Sequence, residues 1–167
     1  MSLLDRLCLA IATGFHLSYI PWRLLKDTSL VGKRRWSGAG LVGTALGWAA
    51  LYALPEGPWF WPVLAAGIGA ACWIAGRADR ALGGHDDPRI VIDETVGFWA
   101  AAAGLPRGFA PLAAAFVLFR IFDATKPPPC RRLEALPGGA GVVMDDVMAG
   151  VYANLATRLL TATGLIG

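Results

Sequence analysis

The chain has 167 residues, of which 56% are hydrophobic and only 16% charged, with a formal net charge of +3. A soluble domain usually carries nearer a quarter charged residues, so the composition points to one domain, 1–167, embedded in or associated with a membrane. The basic residues sit in short loop clusters without interleaved exposed aromatics, which argues against nucleic acid. Cys8, Cys72 and Cys130, with His16 and His85, lack the spacing of a disulfide framework or a zinc site.

Residues 3–20 are apolar apart from Asp5 and Arg6 near the start. They read as a helix lying on or dipping into the membrane rather than a cleaved signal. Residues 21–36 carry Arg23, Lys26, Lys33, Arg34 and Arg35 beside Trp22 and Trp36, the pattern of a cytoplasmic membrane interface. From 38 to 76 the one charge is Glu56, next to Pro55 and Pro58. This predicts a helical hairpin over 41–54 and 60–75, each arm shorter than the ~20 residues of a full span. Arg77 and Arg80 bring the chain back to the basic side, and 83–88 is a loop. Residues 90–105 form a third apolar helix with Asp93 and Glu94 in its first turn. After the turn at 106–108, a helix over 109–123 returns and is stopped by Pro127, Pro128 and Pro129. A basic, proline-rich loop leads to Gly138 and Gly139, and the last apolar run, 142–166, is broken by Arg158. The fold class is therefore all-α: a compact bundle of short apolar helices.

Placing the basic loops on one membrane face puts Asp93, Glu94, Asp123, Asp145 and Asp146 in one plane. Carboxylates among apolar residues are costly unless they bind a cation, pair, or do chemistry. Five oxygen ligands without competing His or Cys suit a hard cation such as Mg²⁺, with water and phosphate completing its shell. Helix neighbours diverge by about 100°, so one member of each acidic pair is expected to reach the ion and the other to orient a neighbour. The plain alternative is that these acids only neutralise Arg89, Arg120 and Lys126. Arg120 and Asp123 share a helix face, and Arg120 and Lys126 are candidate phosphate contacts. Gly138 and Gly139 are candidates for a backbone anion seat. The sequence contains neither a GxxxxGKS/T loop nor a GxSxG elbow.

Three segments, IVIDETVG (90–97), FRIFDATKP (119–127) and GGAGVVMDDVMAG (138–150), resemble motifs of the phosphatidylglycerophosphatase A family, in the same order. The segment GLVGT (40–44) sits where that family has a PGTxGS/T-like run; Ala39 and Leu41 depart from it, and Gly43 and Thr44 remain loop candidates. Pro128 and Pro137 are further departures. The resemblance implies Mg²⁺-dependent hydrolysis of phosphatidylglycerophosphate to phosphatidylglycerol and phosphate, at the cytoplasmic face of a bacterial inner membrane. On that reading Glu94, Asp123 and Asp146 hold the metal, Asp93 and Asp145 assist, and Arg120, Lys126, Gly138 and Gly139 bind substrate. Water and an aspartate both remain open as the nucleophile. The rival readings are a phosphatase of another small ester, a non-catalytic membrane scaffold or transporter, and a soluble all-α metal-binding protein with its short apolar helices packed on each other.

Overall fold

The computed structural model describes residues 1–25, 38–84 and 87–166, and every regular element among them is helical. Lys26, Lys33, Arg34, Arg35 and Trp36 of the expected membrane interface, with His85 and Asp86, lie outside the described residues.

Helix α1 (Leu3–Ala12) opens on a capping box. The Asp5 amide donates to Ser2 Oγ at 3.2 Å, and the Ser2 amide donates to Asp5 Oδ2 at 3.0 Å. Both amides would otherwise lack an acceptor at the helix start. The apolar run 3–20 is not one helix. Gly14, Phe15 and His16 have φ of 57°, 53° and 66°, a left-handed passage that a right-handed helix cannot contain. The chain resumes as α2 (Tyr19–Leu25).

The expected hairpin is present as α3 (Ala39–Leu51) and α4 (Phe60–Leu82), joined through a 3₁₀ turn at Gly57–Trp59. Helix α4 does not end near residue 75. Arg77 donates to Asp5 Oδ1 of α1 at 2.6 Å and lies 5.5 Å from the Trp73 ring, so its charge is satisfied without ending the helix. Gly83, at φ 111°, supplies the left-handed cap that stops α4. The expectation that both arms fall short of a span is thus corrected. The stretch Gly57–Leu82 is long and apolar enough to cross a membrane, whereas α3 is short.

Helix α5 (Ile92–Ala102) is central, with α3, α4, α6 (Phe109–Thr125) and α8 (Gly139–Ala162) packed around it. A short helix, α7 (Cys130–Glu134), occupies part of what the sequence suggested was loop. Glycines allow the close approaches. A Cβ on Gly43 of α3 would lie 2.6 Å from Val91 O, and one on Gly97 of α5 would lie 2.9 Å from Asp146 O. The second contact holds the Asp146 backbone directly against α5, which is the placement the site depends on. Phe98, Leu112 and Phe119 are fully buried in one cluster with Ala149 and Ala153. Truncating such a phenylalanine to alanine typically costs ~3–5 kcal/mol.

At the far end, α8 caps α5. Asn154 Nδ2 donates to Ala101 O and Ala103 O at 2.8 and 2.9 Å, and Arg158 Nη2 donates to Ala103 O at 2.8 Å. Arg158 therefore does not break the last helix; its charge satisfies the end carbonyls of α5.

Candidate active site

The start of α5, the end of α6, the start of α8 and the start of α3 converge at the other end of the bundle. They surround a cleft of about 620 Å³. Asp93, Glu94, Arg120, Asp123, Lys126, Asp145 and Asp146 all line it. Helix direction explains the convergence: α6 runs antiparallel to α5 and α8, which run parallel, so the end of α6 meets the starts of the other two. Gly138 and Gly139 are not among the lining residues. Gly138 is the exposed cap of α8, and Gly139 packs against Cys72 O and Gly76 of α4, while Gly141 faces the cleft.

Asp93, Glu94 and Asp146 each bring a carboxylate oxygen within 4.8 Å of the other two. Asp93 and Glu94 are sequence neighbours, yet both reach the same point. In the first turn of α5 the longer glutamate arm makes up the angular divergence that separated them in the sequence reading. Asp145 and Asp146 do separate: Asp145 Oδ2 lies 2.8 Å from Lys126 Nζ. Asp123, grouped with the metal ligands from sequence, accepts from Arg120 Nη1 at 3.0 Å. The same nitrogen is 3.7 Å from Glu94 Oε1 and 3.4 Å from Thr44 Oγ1, and Thr44 in turn donates to Gly40 O at 2.8 Å. The segment 40–44 is helical rather than loop, and Gly40 is its closest approach to the site. A Cβ there would meet Glu94 Oε1 and stand 2.6 Å from Arg120 Nη2.

Burial is the main reason the Glu94 carboxyl is pushed up to about 7; Asp93 and Arg120 oppose the shift and Asp123 adds to it. Asp146 is raised well above the usual carboxylate range, first by burial and then by Asp123, Asp93, Glu94 and Asp145. Burial works against the Lys126 charge, but Asp145 and Glu134 outweigh it and hold the ammonium above its ordinary value. Glu134 Oε1, on α7, is 2.9 Å from Lys126 Nζ. Sequence reading missed Glu134, because nothing in its spacing ties it to a lysine eight residues earlier; the intervening prolines turn the chain back.

The donor set fits a hard cation. Among the described residues, seven carboxylates line the cleft against Arg120, Lys126 and Arg131. That excess of negative charge repels a phosphate ester unless further positive charge offsets it. Glu94 Oε2 is buried without a hydrogen-bond donor, and Arg120 Nε is buried without an acceptor. Such orphaned atoms are costly unless a ligand completes them. One calls for a cation and the other for an anion, side by side.

Comparison with known proteins finds similarity to lipid phosphatases. Residues 10–161 match the family model for phosphatidylglycerophosphatase A. A Bacteroides thetaiotaomicron protein named "Putative phosphatidylinositol-3-phosphatase" is 40% identical over 121 residues, covering 68% of this chain and 76% of its own. The phosphatidylglycerophosphatase A of Escherichia coli is 35% identical over 142 residues, 78% of each chain. The Haemophilus influenzae protein of the same name is 40% identical over 84 residues, 49% of this chain and 52% of its own. No solved structure matches the chain.

Proposed function

As a member of the phosphatidylglycerophosphatase A family this chain is a lipid phosphatase, a hydrolase of phosphoric monoesters, and we propose that its substrate is phosphatidylglycerophosphate. The observation that carries the proposal is the meeting of the Asp93, Glu94 and Asp146 carboxylates beside the Arg120 guanidinium in one cleft.

Mg²⁺ is the proposed cofactor, held by Asp93, Glu94 and Asp146, and when bound it would offset charge on the substrate phosphate. The protein's own groups do the remaining positioning. Arg120 has Nε to donate to a phosphate oxygen, while Asp123 fixes its far nitrogen at 3.0 Å. Lys126 spends two of its three N–H donors on Asp145 and Glu134, which leaves one for an equatorial oxygen. Hydrolysis of a phosphomonoester needs mostly such positioning and charge stabilisation.

A lipid substrate calls for a lipid-facing surface. Leu3, Leu4, Leu7 and Ile11 of α1 are exposed, as are Trp59, Trp61 and Trp73 around α4. Exposed apolar and aromatic residues at this density support a membrane-associated enzyme. The basic segment 21–36 favours the cytoplasmic face of a bacterial inner membrane. A second reading, a phosphoinositide 3-phosphate as substrate, is favoured by the name of the Bacteroides relative.

The test is phosphate release from phosphatidylglycerophosphate and from phosphatidylinositol 3-phosphate, each with Mg²⁺ and with chelator. Release from the first, abolished by chelator, supports the proposal. Release from the second alone selects the alternative.

A further inference from the structure

Arg131 is the cleft cation that neither the site chemistry nor the family motifs use. Arg120 is committed to Asp123 and Lys126 to Asp145 and Glu134. Arg131 lines the same cleft from α7, is exposed, and makes no ion pair or hydrogen bond among the described residues. Helix α7 is nevertheless not a loose surface turn. Tyr152 Oη of α8 donates to Pro128 O at 2.6 Å just before it, Cys130 is fully buried within it, and Glu134 at its end is tied to Lys126 at 2.9 Å. Three anchors thus hold an unneutralised guanidinium at the rim of an otherwise acidic cleft.

We infer that Arg131 is a specificity-determining residue that binds the bridging phosphodiester of the substrate while the terminal monoester occupies the carboxylate end of the cleft. This rests on the lipid phosphatase reading. The chemistry selects the ligand class: a lipid with two phosphates, one a monoester and one a diester, separated by a short polyol. The diester keeps its charge throughout hydrolysis, so Arg131 would hold ground state and transition state equally. Its loss should appear in KM and not in kcat.

The experiment compares wild type, Arg131→Ala and Arg131→Lys on phosphatidylglycerophosphate in detergent micelles with Mg²⁺. Phosphatidic acid, whose headgroup is the monoester alone, serves as a competitor. For Arg131→Ala the expected result is a KM raised about tenfold, the size of one charge-assisted contact. The same variant should keep kcat within about twofold and be inhibited by phosphatidic acid as strongly as wild type, and Arg131→Lys should recover part of the KM. A fall in kcat at unchanged KM, or equal weakening of phosphatidic acid inhibition, overturns the assignment while leaving the activity intact. A wild type that releases phosphate from no two-phosphate lipid overturns the activity reading and this inference with it.

Discussion

Lys126 Nζ lies 2.8 Å from Asp145 Oδ2, a contact that ties the last residue of the α6 turn to the second turn of α8. Lys126 makes it from a left-handed backbone, at φ 44°, as the cap of α6. Asp145 is 5% exposed at the side chain and Lys126 26%. Removing one partner of a buried pair strands the other charge. Lys126→Met should therefore lower stability by about 2 kcal/mol, and Lys126→Met with Asp145→Asn should recover most of that without restoring phosphate release. Urea titration and the release assay on the three proteins check this. Additive losses in the double variant would refute the coupling.

Gly40 faces Glu94 and Arg120 so closely that a single methyl must displace them. Gly40→Ala is expected to cut phosphate release at least tenfold while costing about 1–3 kcal/mol in stability, the range for overpacking. Steady-state kinetics with a thermal melt separates the two effects. Full activity in this variant would show that the Glu94–Arg120 geometry is not needed for turnover.

In metal-free protein the Glu94 carboxyl, pushed up to about 7 by burial, keeps a proton that the unfolded chain releases above its ordinary value of 4.5. The folded state then binds more protons than the unfolded one, so stability falls as pH rises from 4.5 towards 7. Asp5, held down to about 2 by Ser2 and Arg77, changes stability only below that window. Melting temperature in chelator should thus decline across the window, and Glu94→Gln should flatten the decline. Excess Mg²⁺ should raise the melting temperature most at the upper end, where the carboxylates are already deprotonated. A chelated melting temperature that climbs with pH contradicts this.

The exposed face of α1 carries Leu7 and Ile11, 53% and 43% exposed, about 100° around the helix from buried Cys8 and Ala12. Burying one such side chain is worth roughly 1.5–3 kcal/mol. Leu7→Asp combined with Ile11→Asp should weaken sedimentation with phospholipid vesicles at least tenfold and leave helix content by circular dichroism unchanged. Undiminished vesicle binding would place the lipid contact elsewhere.

The acidic residues and their chemistry were legible because carboxylates are rare in an apolar chain and stand out wherever they fall. Asp93 and Glu94 in the first turn of a helix, and Asp123 near the end of another, follow from local periodicity and proline stops. Partner choice was not legible. The three carboxylates that converge are Asp93, Glu94 and Asp146, while Asp123 is paired with Arg120, three residues away on the same helix face. The break of the first apolar run at Gly14–His16 and the length of α4 were hidden for a related reason. A backbone turning to positive φ, and a half-buried arginine paired with Asp5, depend on what packs alongside and not on the local pattern.

By itself the sequence determined an all-helical chain, its apolar surface and the kinds of groups its site would hold, since these follow from composition and from periods of a few residues. Only the tertiary structure decided which carboxylate meets which, that α7 exists to carry Glu134 and Arg131, and that Gly139 serves packing against α4. Those outcomes turn on distances of a few ångströms between helices remote in sequence. They are set by glycine contacts such as Gly97 with Asp146 O, which no pattern along one helix encodes.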